Sequence, residues 1–540
     1  MPDARPSGSV RDRGLVAAAF LVGGAGLASR LVGLLRDRLL ASTFGAGGEL
    51  DAYYAAFRWP DAIYNLLIVG ALSAAFIPVF LEAEEKKGEE DAGRFATQAF
   101  AWTAATVALA CAALFAAAPW LVPATVSGFP PERQRLAVEL TRIMLCSPFF
   151  LALSAVFGGA LQAKRRFLAF SVAPVLYNFG IMAGVWFLAP SMGVRGAAWG
   201  VAVGAASHAA LQAGAALRGG IRWGGGLRPA HPGLHALWRM APARVAGLAM
   251  AQVNFAILLF FASRQPEGGV AAMNFANNLQ AVPVGLIGVS YAVAAFPALS
   301  EAAAKHEDGV FGQQVAAGLR RILFFTIPLV AALFLLRAQA VRLALGAGNF
   351  DWTATIRTAN ALAAFLPSVP AQCVVALLAR AFYARQDART PLVVGLVAEA
   401  AVVAGALVSQ ARWDVMGLAA AFSVGSVLQA SGLAWMLRRR ICIPWRALVE
   451  TGLASIAAGA AFIAAGHPVR ELMGTVFPLE TFWQVLAQAA AAGAVGTAGF
   501  LLAAWVFRIP EFFQVKEALV AKLLRRKPEI ASMEEVHDLG

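Results

Sequence analysis

The chain of 540 residues is 59% hydrophobic and only 14% charged, with a mean hydropathy of +0.67. Soluble proteins carry roughly 25% charged and about 45–50% apolar residues, so this composition excludes a water-soluble fold and leaves room for a dozen or more spans of about 20 residues. The net charge of +13 does not point to nucleic acid, because no soluble basic segment exists to hold it; excess Lys and Arg mark the cytoplasmic loops of polytopic proteins.

In chain order, the polar, basic stretch 1–13 reads as a short cytoplasmic tail. The apolar run behind it is too long and too interrupted for a cleaved signal. Spans follow at 14–41, 52–81, 96–118, 136–163, 168–189, 194–217 and 236–262, then at 269–302, 314–337, 355–383, 390–410, 414–437, 447–466 and 482–507. No loop between them is long enough for a catalytic domain. From Pro510 to Lys527, Phe512, Phe513, Val515 and Leu519 alternate with Lys516, Lys522, Arg525 and Arg526. That is the pattern of a basic amphipathic helix on a membrane surface, and the tail to Gly540 is expected to be disordered. Cys111, Cys146, Cys373 and Cys442 form no CxxC pair and have no His at ligand spacing, so they read as small apolar residues and no metal site is expected.

Charge orients this array. Connections after even-numbered spans hold Lys86, Lys87 and Arg94; Lys164, Arg165 and Arg166; Arg218, Arg222 and Arg228; Lys305, Arg320 and Arg321; Arg385 and Arg389; and Arg438, Arg439, Arg440 and Arg446. Odd connections hold fewer: Arg133, Arg135, Arg195, Arg264, Arg337, Arg342, Arg412 and Arg470. The positive-inside rule then places both termini in the cytoplasm. An internal repeat agrees. Ala74-Ala75-Phe76-Ile77-Pro78 is answered by Ala294-Ala295-Phe296-Pro297, and Leu161 to Arg166 by Phe382 to Asp387. The offset, about 220 residues, covers six spans and so preserves topology. The expected fold is an all-α polytopic membrane protein of about 14 transmembrane helices. Two six-helix bundles (14–228 and 229–440) stand in pseudo-twofold repeat, followed by two additional helices (441–509) and the surface helix and tail (510–540). Such repeats enclose a site between halves that rock to alternate access.

Charged groups inside a membrane are functional candidates by default, since each costs roughly 2.5–3.5 kcal/mol to insert. Span 1 carries Arg30, Arg36, Asp37 and Arg38. Arg30 and Asp37 are seven apart and share a face. Span 2 carries Asp51, Arg58 and Asp61 around Pro60, whose freed carbonyls suit a polar cavity better than lipid. Arg142, Arg244 and Glu399 are further candidates. Glu399 suits either a coupling cation or proton, or a buried structural hydrogen bond; Gln252, Asn254, Asn277 and Asn278 read mainly as interhelical glue. No Walker lysine, phosphate-cradling loop, paired acids or clustered His appears, so neither an ATP-driven pump nor an enzyme is expected.

Ser29 to Asp37, then Phe44-Gly45-Ala46-Gly47, then Asp51-Ala52-Tyr53-Tyr54-Ala55-Ala56-Phe57-Arg58-Trp59-Pro60 closely resemble the N-terminus of the MurJ/MviN lipid II flippases. Gly70 to Val79 and Phe382 to Pro391 continue the resemblance, which extends over the whole length. It implies a multidrug/oligosaccharidyl-lipid/polysaccharide exporter fold with a cationic cavity between two bundles. The implied substrate is lipid II or a related polyprenyl-pyrophosphate lipid, moved from inner to outer leaflet in the bacterial cytoplasmic membrane. Neither enzyme activity nor a cofactor is implied. Drive comes from membrane potential or a monovalent cation gradient, among membrane phospholipid and beside the cell-wall synthesis machinery. The family's essential arginines fall on Arg30 and Arg36, and its acids on Asp37 and Asp51. Its helix 2 and helix 8 basic positions fall on neutral Tyr64-Asn65 and Asn277-Asn278, with Arg58 and Arg244 as candidate replacements. Competing readings are a paralogous exporter of another lipid-linked glycan, a drug/ion antiporter of the superfamily, and a regulatory scaffold with a degenerate cavity. A drug exporter favours acids over the arginines of span 1.

Overall fold

The computed structural model describes residues 8–221, 223–224, 226, 230–409, 412–477 and 481–523, without the side chains of 8–23, 27, 71, 73–75, 236–244, 246–247 and 250–251. Every regular element among these residues is helical. The rods are α1 (Gly8–Phe44), α2 (Gly48–Ile63 running on through Tyr64–Leu72 and Ser73–Lys87), α3 (Glu89–Thr125), α4 (Pro131–Ala163), α5 (Phe167–Met192), α6 (Val194–Arg218) and α7 (Pro232–Ala262). After them come α8 (Gly269–Ala304), α9 (Asp308–Leu335), α10 (Trp352–Phe365 bent by 42° into Ser368–Ala384), α11 (Arg389–Ser409), α12 (Asp414–Arg438), α13 (Trp445–Val476), α14 (Phe482–Val506) and α15 (Pro510–Leu523). The sequence-derived spans fall on these rods to within a residue, except that 314–337 runs past α9 into a separate short helix (Arg337–Leu345) and 410 lies outside the described residues. Among the described residues 10 helices are long and apolar enough to cross a membrane, and the bent α10 makes 11. Outside that group lie α1 and α2, which carry Arg30, Arg36, Asp37, Asp51, Arg58 and Asp61, and α7.

Proline breaks repeat along the chain. After Pro60, α2 loosens into a π-helical stretch (Tyr64–Leu72), and after Pro283 α8 does the same (Val284–Val289). A proline removes one ladder hydrogen bond, and a π-turn is a common way to absorb the loss. The turns repeat too. Arg165, after α4, and Gln386, after α10, both take positive φ (57° and 61°). In both turns the following amide reaches back five residues, Arg166 to the Leu161 carbonyl and Asp387 to that of Phe382, closing matching Schellman caps.

The helices group into two compact units. The first contains Met1–Ala276, Ala344–Ala361 and Val403–Ala421; the second contains Asn277–Leu343, Leu362–Val402 and Phe422–Gly540. In the first, Phe76, Phe80, Phe95, Val156 and Leu161 form one core from α2, α3 and α4. α5 meets α6 backbone to backbone, because a Cβ on Gly180 would strike Gly204 and one on Gly184 would strike Gly200. Between apolar helices in lipid, such close approach supplies the dispersion that holds the pair. In the second unit, Phe311, Val315, Leu319, Leu377, Phe382 and Leu437 form the corresponding core. α13 and α14 pack as a hairpin, with Gly466 against Gly496. α15 docks on this unit: Phe512 and Val515 meet Phe324, Phe500 and Ala504, and buried Glu511 lies 3.0 Å from Arg320. Leu519 and Val520 beyond it stay exposed.

Candidate functional site

Two groups of polar residues stand out in the first unit. One is on the inner faces of α1, α2 and α5. Arg36 donates through Nε and Nη2 to Asp37 Oδ1 (3.0 and 2.7 Å) and through Nη1 to Asn178 Oδ1 (3.0 Å). Asn178 Nδ2 is taken by the Pro174 carbonyl at 3.0 Å, which fixes the amide so that its oxygen faces the guanidinium. Gly33, a turn before Asp37, faces Asn178. Asp37 is 2% exposed, and a buried carboxylate is tolerable when it is paired and hydrogen-bonded, as here. Tyr53 and Tyr54 of α2 are buried beside Arg36, and among the described residues their hydroxyls have no hydrogen-bond partner.

A turn deeper, a narrow cleft is lined by Phe57, Asp61, Tyr64, Ser147 and Pro148. Asp61 is exposed toward it, within electrostatic reach of Arg58 and Arg36. Asn65 turns its amide back to the Asp61 carbonyl at 2.9 Å. Arg58 lies over the Phe255 ring at 5.3 Å, with Nη2 buried and unbonded. A planar guanidinium oriented by Asp37 and Asn178, beside tyrosine hydroxyls, suits an anion with several oxygens, such as a pyrophosphate.

The second group sits where the α1–α2 and α7–α8 turns meet. Asp51, 1% exposed, accepts the amides of Gly268 (2.7 Å) and Ala271 (2.8 Å), capping α8 from another helix. Glu267 Oε1 in turn accepts the Gly48 amide at 2.6 Å, the first of α2, while its Oε2 meets Arg133 at 2.8 Å. Each helix thus receives a carboxylate at its positive end from the segment of the other. Gly268 (φ 83°) sits against the Ala46 carbonyl, where a Cβ would not fit. Arg357 clamps the turn, donating to the Pro266 and Glu267 carbonyls (3.0 and 2.5 Å) and bidentately to Asp414 (2.6 and 2.7 Å). The last carbonyls of α1, Ser42 and Thr43, are capped by the Asn349 amide and side chain (2.9 and 2.8 Å), and Arg38 reaches the Gly346 carbonyl at 3.1 Å.

Of the sequence candidates, the fold brings Arg36, Asp37, Arg58 and Asn65 to the first group and Asp51 to the clasp. Arg30 is exposed on α1, two turns before Arg36. Asn278 and Glu399 are half-buried in the second unit. The side chain of Arg244 lies outside the described residues. Arg142 is accounted for locally, by the Phe115 ring (4.6 Å) and carbonyl (3.2 Å). Asn178 and Ser147 were not singled out from the sequence. Asp61 was signalled by its i,i+3 spacing from Arg58, whereas nothing in the sequence announces that Asn178 faces α1.

The family model described as Lipid II flippase MurJ matches residues 40–486. The chain belongs to the MurJ family. The lipid II flippase MurJ of Burkholderia cenocepacia is 33% identical over 396 residues, covering 71% of this chain and 76% of its own. The probable lipid II flippase MurJ of Rhizobium tropici is 28% identical over 486 residues, covering 87% and 91%. Among solved structures, a lipid II flippase MurJ in an inward closed conformation superposes with a TM-score of 0.73 at 21% identity, covering 90% of this chain and 98% of that one. An inward-facing multidrug resistance MATE transporter of the MOP superfamily superposes with a TM-score of 0.66 at 16% identity, covering 76% and 94%. At these identities the two structures speak for the fold, which is the exporter fold that the N-terminal motifs implied. Family members are transporters by name. Among the described residues no three His, Cys, Asp or Glu side chains group as a metal site.

Proposed function

We propose that this protein is a lipid II flippase of the bacterial cytoplasmic membrane, a multi-pass transporter with both termini in the cytoplasm, working by alternating access. The observation that carries the reading is Arg36, deep in an apolar chain and oriented by Asp37 and Asn178. A pyrophosphate crossing a low-dielectric layer needs such a donor, and a guanidinium can hydrogen-bond it bidentately. Arg30, exposed two turns away on the same rod, supplies a second contact, and Arg58 a third. Asn65 and Asn278 offer neutral amides to the sugars of the headgroup.

The clasp supports alternating access. Closing the Asp51–Gly268 end while the opposite end admits a headgroup, then breaking the same few caps, is a two-state device of small bonds. The charge asymmetry puts that end on the outer side. Drive comes from membrane potential or a monovalent cation gradient, with Glu399 as the proposed coupling group. Membrane phospholipid and the cell-wall synthesis machinery are the proposed surroundings. The neutral Asn65 and Asn278 favour one second reading, a paralogue that exports another lipid-linked glycan; the superfamily's drug/ion antiporters fit the arginines less well. The deciding experiment is leaflet transfer of labelled lipid II in liposomes. Transfer by the wild type and its loss in Arg36→Ala are expected; equal transfer by both would overturn the proposed role of Arg36.

A further inference from the structure

We propose that Arg337 and Arg470 form a docking site for the phosphate headgroup of a lipid in the outer leaflet, at the end of α9 beside the α13–α14 hairpin. Arg470 of α13 donates through Nη1 to the Leu335 carbonyl at 3.1 Å. Arg337 donates through Nη1 to the neighbouring Phe334 carbonyl at 3.0 Å and lies over the Phe334 ring. Two guanidiniums from separate segments therefore converge on consecutive carbonyls, close enough to act on one another as like charges. The arrangement is braced from below. The Arg470 carbonyl accepts Gln488 of α14 at 3.2 Å, and buried Gln488 accepts buried Gln339 at 2.6 Å.

One nearby acid neutralises only half of this pair, since Glu471 forms an ion pair with Arg470. Glu471 accepts from Arg470 at 2.5 Å and also faces His467 at 4.0 Å, and among the described residues no carboxylate reaches Arg337. Elsewhere on the side assigned as outer, three arginines each meet an acid: Arg133 meets Glu267, Arg195 meets Glu139 and Arg357 meets Asp414. Convergent, braced and under-neutralised guanidiniums are the arrangement that a multi-oxygen anion completes. The surroundings indicate a lipid-borne anion. Arg337 lies on the exposed Phe334 ring, and Phe482 and Trp483 are exposed at the start of α14, the pattern of the aromatic belt at a membrane–water boundary, the level at which headgroup phosphates lie. The outer assignment rests on the orientation proposed above.

The test is a lipid titration of the purified full-length protein in detergent, read by native mass spectrometry. The probes are phosphatidylglycerol, undecaprenyl pyrophosphate and inorganic phosphate. Arg337→Gln/Arg470→Gln should lose one bound lipid, with at least a tenfold rise in Kd, while Arg337→Lys keeps it. Whichever of the two lipids shows the larger change names the source of the phosphate. Should the double variant fail to fold, Arg337→Gln alone is measured, since its side chain holds only one carbonyl. Unchanged Kd for both lipids would overturn the site, and so would a phosphate-only effect, which assigns a soluble anion. Lost lipid binding with intact lipid II transfer supports this site without touching the transport reading; lost transfer in Arg36→Ala leaves this site untouched.

Discussion

Asp51 and Gly268 are 217 positions apart in the chain and 2.7 Å apart in the fold, carboxylate to amide. With Glu267 on the Gly48 amide, the bond makes α2 and α8 cap one another. These two rods are counterparts in the repeat, so the exchange is the pseudo-symmetric one that a repeat permits.

Removing Asp51 leaves two amides of the α8 start without their carboxylate. An unsatisfied buried donor costs about 1–3 kcal/mol, enough to shift a closed clasp toward open by roughly one to two orders of magnitude. In a cysteine-free background bearing Ala46→Cys, Asp51→Ala should raise the rate of labelling by a membrane-impermeant maleimide several-fold, and Asp51→Asn less. Identical rates in all three proteins would show that the carboxylate does not hold the clasp.

Arg36 and Asp37 are expected to behave as a pair. Arg36→Ala takes the guanidinium from a carboxylate that is 2% exposed, and breaking a buried pair from one side costs about 3–5 kcal/mol. Arg36→Ala/Asp37→Ala should recover much of the thermal stability without recovering lipid II transfer. Recovery of transfer in the double variant would assign Arg36 a structural role alone.

The α5–α6 contact leaves no space for side chains. Gly184→Leu should lower the unfolding temperature in detergent by many degrees, because the added side chain meets the Gly200 backbone directly. Gly214→Leu, in open space on α6, serves as the control and should leave it unchanged. Equal effects from the two substitutions would contradict the packing.

Asp387, in the turn between α10 and α11, gives a pH dependence with a definite sign. Burial pushes its carboxyl up, but the Thr390 hydroxyl and amide and the Arg440 guanidinium together hold it down at about 2. Its ordinary value is about 3.9. A carboxyl depressed by folding contributes stability in full above that ordinary value and loses it as pH falls toward 2. Asp387→Asn should therefore unfold at a lower temperature than wild type at pH 6, with the gap closing between pH 4 and about pH 2. A gap that does not vary with pH would rule out the titration of this carboxyl as its cause.

The helical spans and their order were legible in the sequence, because lipid forces each crossing segment to be long, apolar and internally hydrogen-bonded. The repeat was legible as well. Pro60 and Pro283 mark equivalent breaks, and the Gln162–Arg166 and Tyr383–Asp387 segments form the same turn. The charges on α1 and α2 flagged themselves by their cost, since few residues tolerate that solvent without a partner. Which partner each one took was decided only in three dimensions. Asn178 reaches Arg36 because α5 packs along α1, and Glu267 reaches Gly48 because the α7–α8 turn lands on the start of α2. The docking of α15 through Glu511 and Arg320 is of the same kind, since an amphipathic pattern fits a membrane surface and a protein groove equally well. Sequence periodicity fixes which face of a helix is apolar; it carries no record of the neighbour that covers it, so contacts between helices far apart in the chain belong to the tertiary structure alone.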